Sequence, residues 1–592
     1  MLQGKNIVEG WRSLVLHIAL ALLLLVLILR YYNLMIAQHE KYVERAAANH
    51  IRAVPVAASR GVIFDRRGNL IVDNIPSYTV SVIPIELRHN PESLQQLAQI
   101  MDVEVGEIQR RIEKNRRGAF TPAKVFSRVP FQKISLLQEH RLELVGVTYS
   151  IEPIRNYLME TDMSHVLGYT REINRDDLER LGEGSDYQPG DQVGWKGLEK
   201  GYESDLHGTR GFRYLEVNAL GQEIGEVEGR RPISPVPGND LVLTIDPILQ
   251  KAAEEALGDS SGSILIMDHS NGEVLAYASR PGYDLEMLSG KISQAAWTAI
   301  ISDPRKPLYD RTIQGLYPAG STLKPIAALY SLNHFEDALE RSYTCRGSYR
   351  LGNRSFGCWK TGGHGKVQLV RAIQQSCNVY FYNLIQDIGL DEWAALAMDF
   401  GLGVVTGIDV PEENKGTIPT VRYMNQKYGV KRWTKGNLLN IVVGQGDILV
   451  TPLQLAQYAG IIAQRGVRFQ PHLVQFIQDK DDRILRELAM TGEEVVTATD
   501  SSWRTLQHAM WLVVNGKEGT AKSARQKDWD IYGKTGTAQN PHGEDHAWFV
   551  GFSLDPQRPW SWAVLVENGG GGGGIAAPML GRTLRNAVRR GA

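Results

Sequence analysis

The strongest constraint on how this chain folds lies near its N-terminus. Leu14 to Leu29 is apolar throughout except for His17, with Trp11 on one flank and Arg30, Tyr31 and Tyr32 on the other. Counted from Trp11 to Tyr31, the stretch is long enough to cross roughly 30 Å of hydrocarbon. Aromatic flanks suit the two interfaces. A cleaved signal peptide is the alternative. No small-x-small cleavage site directly follows the run, so an uncleaved anchor is expected over residues 14–32, with residues 1–13 as a cytoplasmic tail. Lys5 and Arg12 favour a cytoplasmic N-terminus, while Arg30 and Lys41 pull the other way. No other segment is as long and apolar, so the bulk of the chain is expected on one side of a membrane.

The remainder reads as folded protein. With 592 residues, 43% hydrophobic and 22% charged, the chain has room for roughly three or four domains. A net charge of -1 and the lack of a dense Lys/Arg run give no reason to expect nucleic acid. Gln38 to Asn49 is polar and Ala-rich, like a helical stalk. Ser59 to Ile71 reads as strand, Gly-containing turn and strand. Residues 90 to 145 are charged and helix-like. Pro232 to Gly238 looks like a linker.

From Asn239 the texture changes. Leu241 to Ile245 is strand-like and Leu249 to Leu257 helix-like. Two apolar runs, Ser263–Met267 and Glu273–Ala278, flank Ser270-Asn271-Gly272, a strong hairpin signal. Helices with long loops are expected from 290 to 530, then strands at 548–552 and 562–567. This predicts an α+β architecture, an antiparallel sheet covered by helices. The six glycines from Gly569 to Gly574 are expected to form a mobile loop. There is no internal repeat.

Three short motifs carry chemistry. In Ser321-Thr322-Leu323-Lys324, a helix starting near Ser321 puts both ends on one face. A hydroxyl needs a neighbouring proton acceptor to become a nucleophile, and a lysine serves if burial or a nearby cation lowers its pKa. In Ser376-Cys377-Asn378, Ser376 can relay a proton and Asn378 can hold a substrate carbonyl. In Lys534-Thr535-Gly536-Thr537, a strand places Lys534 and Gly536 on one face and the threonines on the other. Gly536 would let a substrate backbone lie close. A phosphate loop is excluded, because Asp528 stands where the glycine five residues before Gly533 is needed.

Taken in order, at spacings of 55 and 158 residues, Ser-x-x-Lys, Ser-x-Asn and Lys-Thr-Gly are the signature of penicillin-binding proteins and serine β-lactamases. The chain resembles the class B penicillin-binding proteins over nearly its whole length. Tyr317 to Pro325 and Gly444-Gln445-Gly446 with Thr451-Pro452-Leu453-Gln454 are similar to the transpeptidase blocks of that family. Arg60-Gly61 with Asp65-Arg66, and Gly197-Leu198-Glu199 with Tyr202, are similar to its non-catalytic pedestal. Trp359 to Gly365 and Val566 to Gly570 resemble the elongation-specific subgroup, that of penicillin-binding protein 2, more than the division-specific one.

The resemblance implies a pedestal (dimerisation-type) domain over 33–238 and a transpeptidase domain over 239–592. It implies a single-pass protein of the inner membrane with its catalytic domain in the periplasm. It also implies roles. Ser321 would attack the D-Ala-D-Ala bond of a peptidoglycan stem peptide, with Lys324 as base and Ser376 and Lys534 relaying the proton. Asn378, Thr535, Gly536 and Thr537 would bind substrate, and the Ser321 and Thr537 amides would form the oxyanion hole. β-Lactams would acylate Ser321. A SEDS-type polytopic glycosyltransferase and other elongation-complex membrane proteins would be partners. A carboxypeptidase or β-lactamase-type hydrolase shares the motifs, but no group that would activate water is legible. A non-enzymatic scaffold and a bifunctional glycosyltransferase fit less well.

All three cysteines fall in one short window: Cys345, Cys358 and Cys377, with His364 between the last two. Three thiolates and an imidazole are a common structural zinc set. Some members of the subgroup carry Asp, His and Cys ligands at similar places, which the resemblance extends to here. A disulfide with one cysteine left over, or three buried thiols, are the alternatives.

Overall fold

The computed structural model describes residues 5–40, 42, 51–116, 118–158, 160–173, 177–179, 187, 191–217, 223–227, 229–289 and 292–592. Its backbone forms two compact units, one of residues 1–58 with 209–236 and the other of 59–208 with 237–592.

In the first unit, one helix spans Lys5–Tyr32 and runs on into a π-helical turn, Asn33–Ala37. The stretch Gly10–Ala37 is long and apolar enough to cross a membrane. This exceeds the expected 14–32, because Leu34, Met35 and Ile36 continue the apolar helix beyond the aromatic flank. The stalk expected over Gln38–Asn49 lies outside the described residues, apart from 38–40 and 42. Strands Ile51–Val56, Gly211–Val217 and Glu223–Glu226 form an antiparallel sheet. The stretch expected as a linker is partly paired: Ile233 exchanges backbone hydrogen bonds of 2.8 Å with Phe212, and Val236 with Thr209.

In the second unit, Ile63–Phe64 turns back onto the long strand Leu70–Val82, as expected, and Val147–Tyr157 pairs along that strand's length. The helices Pro91–Met101, Val105–Asn115 and Phe131–Glu139 bury Leu97, Ile108 and Leu137 against Val80 and Val82. Within this stretch, expected to be all helical, Ala123–Val129 is a strand. It turns Val125 and Val129 into the same core, an alternation too short to stand out among its charged neighbours. Asp240–Leu243 pairs in parallel with Ile63–Phe64 and antiparallel with Val474–Gln478. Residues before 208 and after 237 therefore share one sheet.

The central element is a five-stranded antiparallel sheet. Its order is Val274–Arg280, Gly262–Asp268, Trp560–Val566, His546–Phe552 and Tyr532–Ala538. The predicted hairpin supplies the first two strands and the Lys-Thr-Gly motif forms the last, which is an edge. Pro247–Leu257 and Ala576–Arg589 pack together against the sheet, and Pro452–Ala463 also packs against it. Every residue of Pro452–Ala463 is buried, as expected of a helix that is apolar all round. Thr451 and Gln454 cap its start reciprocally. The 290–530 region, expected as helices and loops, also carries two small hairpin-like sheets. They pair Ser342–Cys345 with Gly365–Gln368 and Ser348–Leu351 with Arg354–Gly357.

Candidate active site

Ser321 lies in a 3-10 turn, Gly320–Leu323, that leads into the helix Lys324–His334. The lead-in is fixed from several sides. Tyr317 exchanges backbone hydrogen bonds of 3.0 Å with Val450, and Gly320 N–H donates to Gly444 O at 2.9 Å. Trp548 Nε1 donates to Pro318 O at 3.0 Å. Tyr317 Oη donates to Glu567 at 2.6 Å, and Arg311 pairs with the same carboxylate at 3.0 Å.

Lys324 is fully buried. Its amine donates to Ser376 O at 2.8 Å, Ser376 Oγ at 3.2 Å and Asn378 Oδ1 at 2.6 Å. Lys534, also fully buried, donates to the same Ser376 Oγ at 2.9 Å. Burial lowers Lys324 from the ordinary ammonium range to about 8, while the neighbouring Cys358 and Cys377 sulfurs oppose the shift. Burial lowers Lys534 well below its usual value, and the Lys324 charge lowers it further. Two buried amines meeting at one hydroxyl resist both being charged. The expected Ser321–Lys324 hydrogen bond is not formed among the described residues; Lys324 is turned to the Ser376 loop instead. Catalytic contacts of this kind commonly tighten only around substrate.

Ser376 was expected inside a helical region. It occupies the break between the helices Leu369–Gln374 and Asn378–Ile388, in the left-handed region at φ 55°. A non-glycine residue there is uncommon and clusters at functional sites. Asn378 Nδ2 donates to Gly357 O at 3.2 Å. Its amide, expected to hold a substrate carbonyl, is thus tied at both ends within the protein.

Thr535 Oγ1 shares a hydrogen bond of 2.7 Å with Thr520 Oγ1. Thr537 is exposed, and its carbonyl accepts from Gln445 Nε2 at 3.1 Å on the free edge of the sheet. The N–H and C=O of a strand residue point the same way, so the Thr537 N–H also faces out from that edge. Gly536 requires a correction. A Cβ there would stand 2.8 Å from Ala319 O and from Thr322 Cγ2. The protein's own nucleophile turn fills the space expected for substrate backbone.

A cleft of about 770 Å³ joins these parts, lined by Ser321, Ser376, Asn378, Thr520, Thr535 and Thr537 among others. Gly571, Gly572 and Gly573 form part of its wall. The glycine run expected to be a mobile loop is packed: a Cβ on Gly572 would stand 2.2 Å from Trp548 O and 2.4 Å from Gly536 O. Thr520, Glu567 and the glycine wall were not legible as site residues. Only the run of identical small residues hinted at a close approach.

Behind the Ser376 loop, Cys345, Cys358, His364 and Cys377 are buried, with their ligand atoms all within 4.8 Å of one another. His364 Nδ1 is 3.5 Å from both Cys345 Sγ and Cys358 Sγ. A tetrahedral Zn–S/Zn–N site would give a sulfur–nitrogen separation of about 3.5 Å. The donor set fits a metal, with Nδ1 the histidine ligand. Cys358 is held down to about 4 by a hydrogen bond from Cys377 and by backbone amides, while burial opposes the shift.

The family model "Penicillin binding protein transpeptidase domain" matches residues 262–585, and "Penicillin-binding Protein dimerisation domain" matches 55–243. The chain is a class B penicillin-binding protein. It is 30% identical to the Peptidoglycan D,D-transpeptidase MrdA of Haemophilus influenzae, over 97% of this chain and 91% of that protein. The penicillin-binding protein 2 of Helicobacter pylori, solved in complex with MreC, superposes with a TM-score of 0.80 at 28% identity, covering 91% of this chain and 99% of that one. A structure titled for the coordination of polymerization and crosslinking by a peptidoglycan synthase complex gives 0.70 at 28% identity, covering 97% and 98%. This penicillin-binding protein is a peptidoglycan D,D-transpeptidase of the elongation type.

Proposed function

We propose that Ser321 forms the acyl-enzyme of this transpeptidase. The convergence of Lys324 and Lys534 on Ser376 Oγ, at 3.2 and 2.9 Å beneath a cleft lined by Ser321, supports this reading most directly. Neutral Lys324 takes the Ser321 proton as Oγ attacks the carbonyl between two D-alanines. The Ser321 and Thr537 N–H groups stabilise the oxyanion. Lys324 returns the proton through Ser376 to the departing amine, and the C–N bond breaks. Thr535 and Thr537 hold the terminal carboxylate, whose own charge, together with the loss of the Lys324 charge, favours the protonated form of Lys534 beside it. An amine of a second stem peptide then displaces Ser321, leaving a cross-link. β-Lactams acylate the same oxygen. Ser321→Ala is expected to abolish labelling by a fluorescent penicillin; labelling that persists in this variant overturns the assignment.

Cys345, Cys358, His364 and Cys377 hold a structural zinc that fixes the Ser376 loop and takes no part in the chemistry. The domains run as a short tail, an anchor over Gly10–Ala37, a pedestal from there to 238 and a periplasmic transpeptidase domain over 239–592. The apolar helix supports anchoring in the inner membrane. The Helicobacter neighbour's complex with MreC and the synthase-complex neighbour support a place beside a SEDS-type glycosyltransferase and other elongation-complex membrane proteins.

A further inference from the structure

Thr537 fixes more of the donor peptide than its scissile bond. Its N–H and C=O face the cleft from the edge of the sheet, and the C=O already accepts an amide from outside the sheet, that of Gln445 at 3.1 Å. In an antiparallel pair, two opposite residues exchange both bonds. A D-alanine whose carbonyl enters the oxyanion hole at the Thr537 N–H therefore offers its own N–H to the Thr537 carbonyl, which can accept twice. With the terminal carboxylate at Thr535, the chain before that D-alanine runs on toward Ala538 and Gln539. On the neighbouring strand Ala538 pairs with His546, so Asp545 stands at the same end. Gln539 and Asp545 both line the cleft. This end is fixed: Gly570 N–H donates to Asp545 O at 2.7 Å, and Asn540 Nδ2 to Asn568 Oδ1 at 2.7 Å.

Cross-linking joins two stem peptides, one of which supplies an amine, so a donor not yet cross-linked brings an amine of its own. Such an amine is a cation at neutral pH. Lys324 and Lys534 lie buried beneath the cleft. Among the described residues no lysine or arginine lines it, and its carboxylates are Glu518 and Asp545. Glu518 lies at the other end, two residues before Thr520, and pairs with Arg371 at 3.3 Å. Asp545 makes no ion pair among the described residues. We propose that Asp545 binds the side-chain ammonium of a diamino residue placed immediately before the two D-alanines of the donor. Two strand spacings, about 9.6 Å, separate that residue from the strand of Asp545, a span that a four-carbon amine arm and an aspartate cover together. The consequence is selectivity. An amine already spent in a cross-link is a neutral amide, so the enzyme draws its donors from stems not yet cross-linked. This rests on Ser321 as the acylated residue and Thr537 in the oxyanion hole.

The test is competition between synthetic donors and a fluorescent penicillin for Ser321 of the full-length protein. Two donors end in Lys-D-Ala-D-Ala with the α-amine capped; one keeps its side-chain amine and the other has it acetylated. The free amine should lower the concentration that halves labelling about fivefold, as for a well-placed exposed ion pair. In Asp545→Asn the two donors should compete equally, and in Asp545→Glu most of the advantage should remain. Glu518→Gln removes the other carboxylate and should change the advantage less than about twofold. Equal competition in the unmodified protein overturns the proposal, and needs no variant to fold. So does an advantage that survives Asp545→Asn, or one that falls as far in Glu518→Gln. If Ser321 takes no label in the unmodified protein, the underlying reading fails first; if it is labelled and the donors compete equally, only the Asp545 subsite falls.

Discussion

With Lys324 as the proposed base, its charge state sets the rate. A protonated amine cannot accept the Ser321 proton, and burial brings this lysine down to about 8. Acylation by a penicillin should therefore rise with pH up to about 8 and level off above it; a flat profile through that range would exclude Lys324 as base. Tyr317 acts at one remove, through the turn that carries Ser321. Removing its hydroxyl leaves the half-buried Glu567 carboxylate with one partner fewer, a loss of about 1.5 kcal/mol for a bond to a charged group. Tyr317→Phe should slow acylation about tenfold at saturating penicillin while leaving the apparent affinity nearly unchanged. A change confined to affinity would contradict a positioning role. Ser321, Lys324, Ser376 and Lys534 were legible because their residue types recur in a fixed order. Glu567 and Thr520 were not: Glu567 meets Tyr317 across 250 positions, and Thr520 is one threonine among many. Gly571–Gly573 line the cleft without any side chain, so the sequence could announce only their residue type.

The short strands around the cysteines show where element-level reading stops. Ser342–Cys345 and Gly365–Gln368 are four residues each, too brief for a period of two to be told from a loop. Their pairing puts Cys345 opposite Gly365, next to His364, and so assembles the ligand cluster. The cluster also touches the catalytic loop, since Cys377 caps the helix Asn378–Ile388 and follows the left-handed Ser376. Chelation, or Cys358→Ser, should release zinc in elemental analysis and raise hydrogen exchange over residues 342–377. Acylation should weaken with it, because Ser376 would lose the support for its strained backbone. Retained protection after complete metal loss would show that the hairpins alone hold the loop. Four of the five long strands and the N-terminal apolar helix, by contrast, were readable because their continuous apolar runs exceed what chance supplies; Tyr532–Ala538 was readable only through its motif.

Over the whole molecule, one ion network ties distant stretches of the second unit. Glu199 is fully buried between Arg60 and Arg155, at 2.7 Å from each. Burial alone would raise this carboxyl, but the two guanidiniums hold it below the ordinary range. Its contribution to stability is present above the unfolded carboxylate value and fades as pH falls through the lower folded one. Glu199→Gln would leave the buried Arg155 without a counter-charge and Arg60 with Glu203 alone, at 2.6 Å, a cost of about 3 kcal/mol. Thermal unfolding should shift down clearly at neutral pH, and the shift should narrow in strong acid; an unchanged melting curve would refute the network's importance. The strand Tyr532–Ala538 has a consequence of a different kind. Among the described residues it closes no barrel and has no sixth neighbour in its sheet. The enzyme therefore keeps an unfinished sheet, which only a guest chain in extended form can finish. A stem peptide locked into a tight bend, with every atom and charge kept, would offer nothing for that edge to pair with and should be a poor donor.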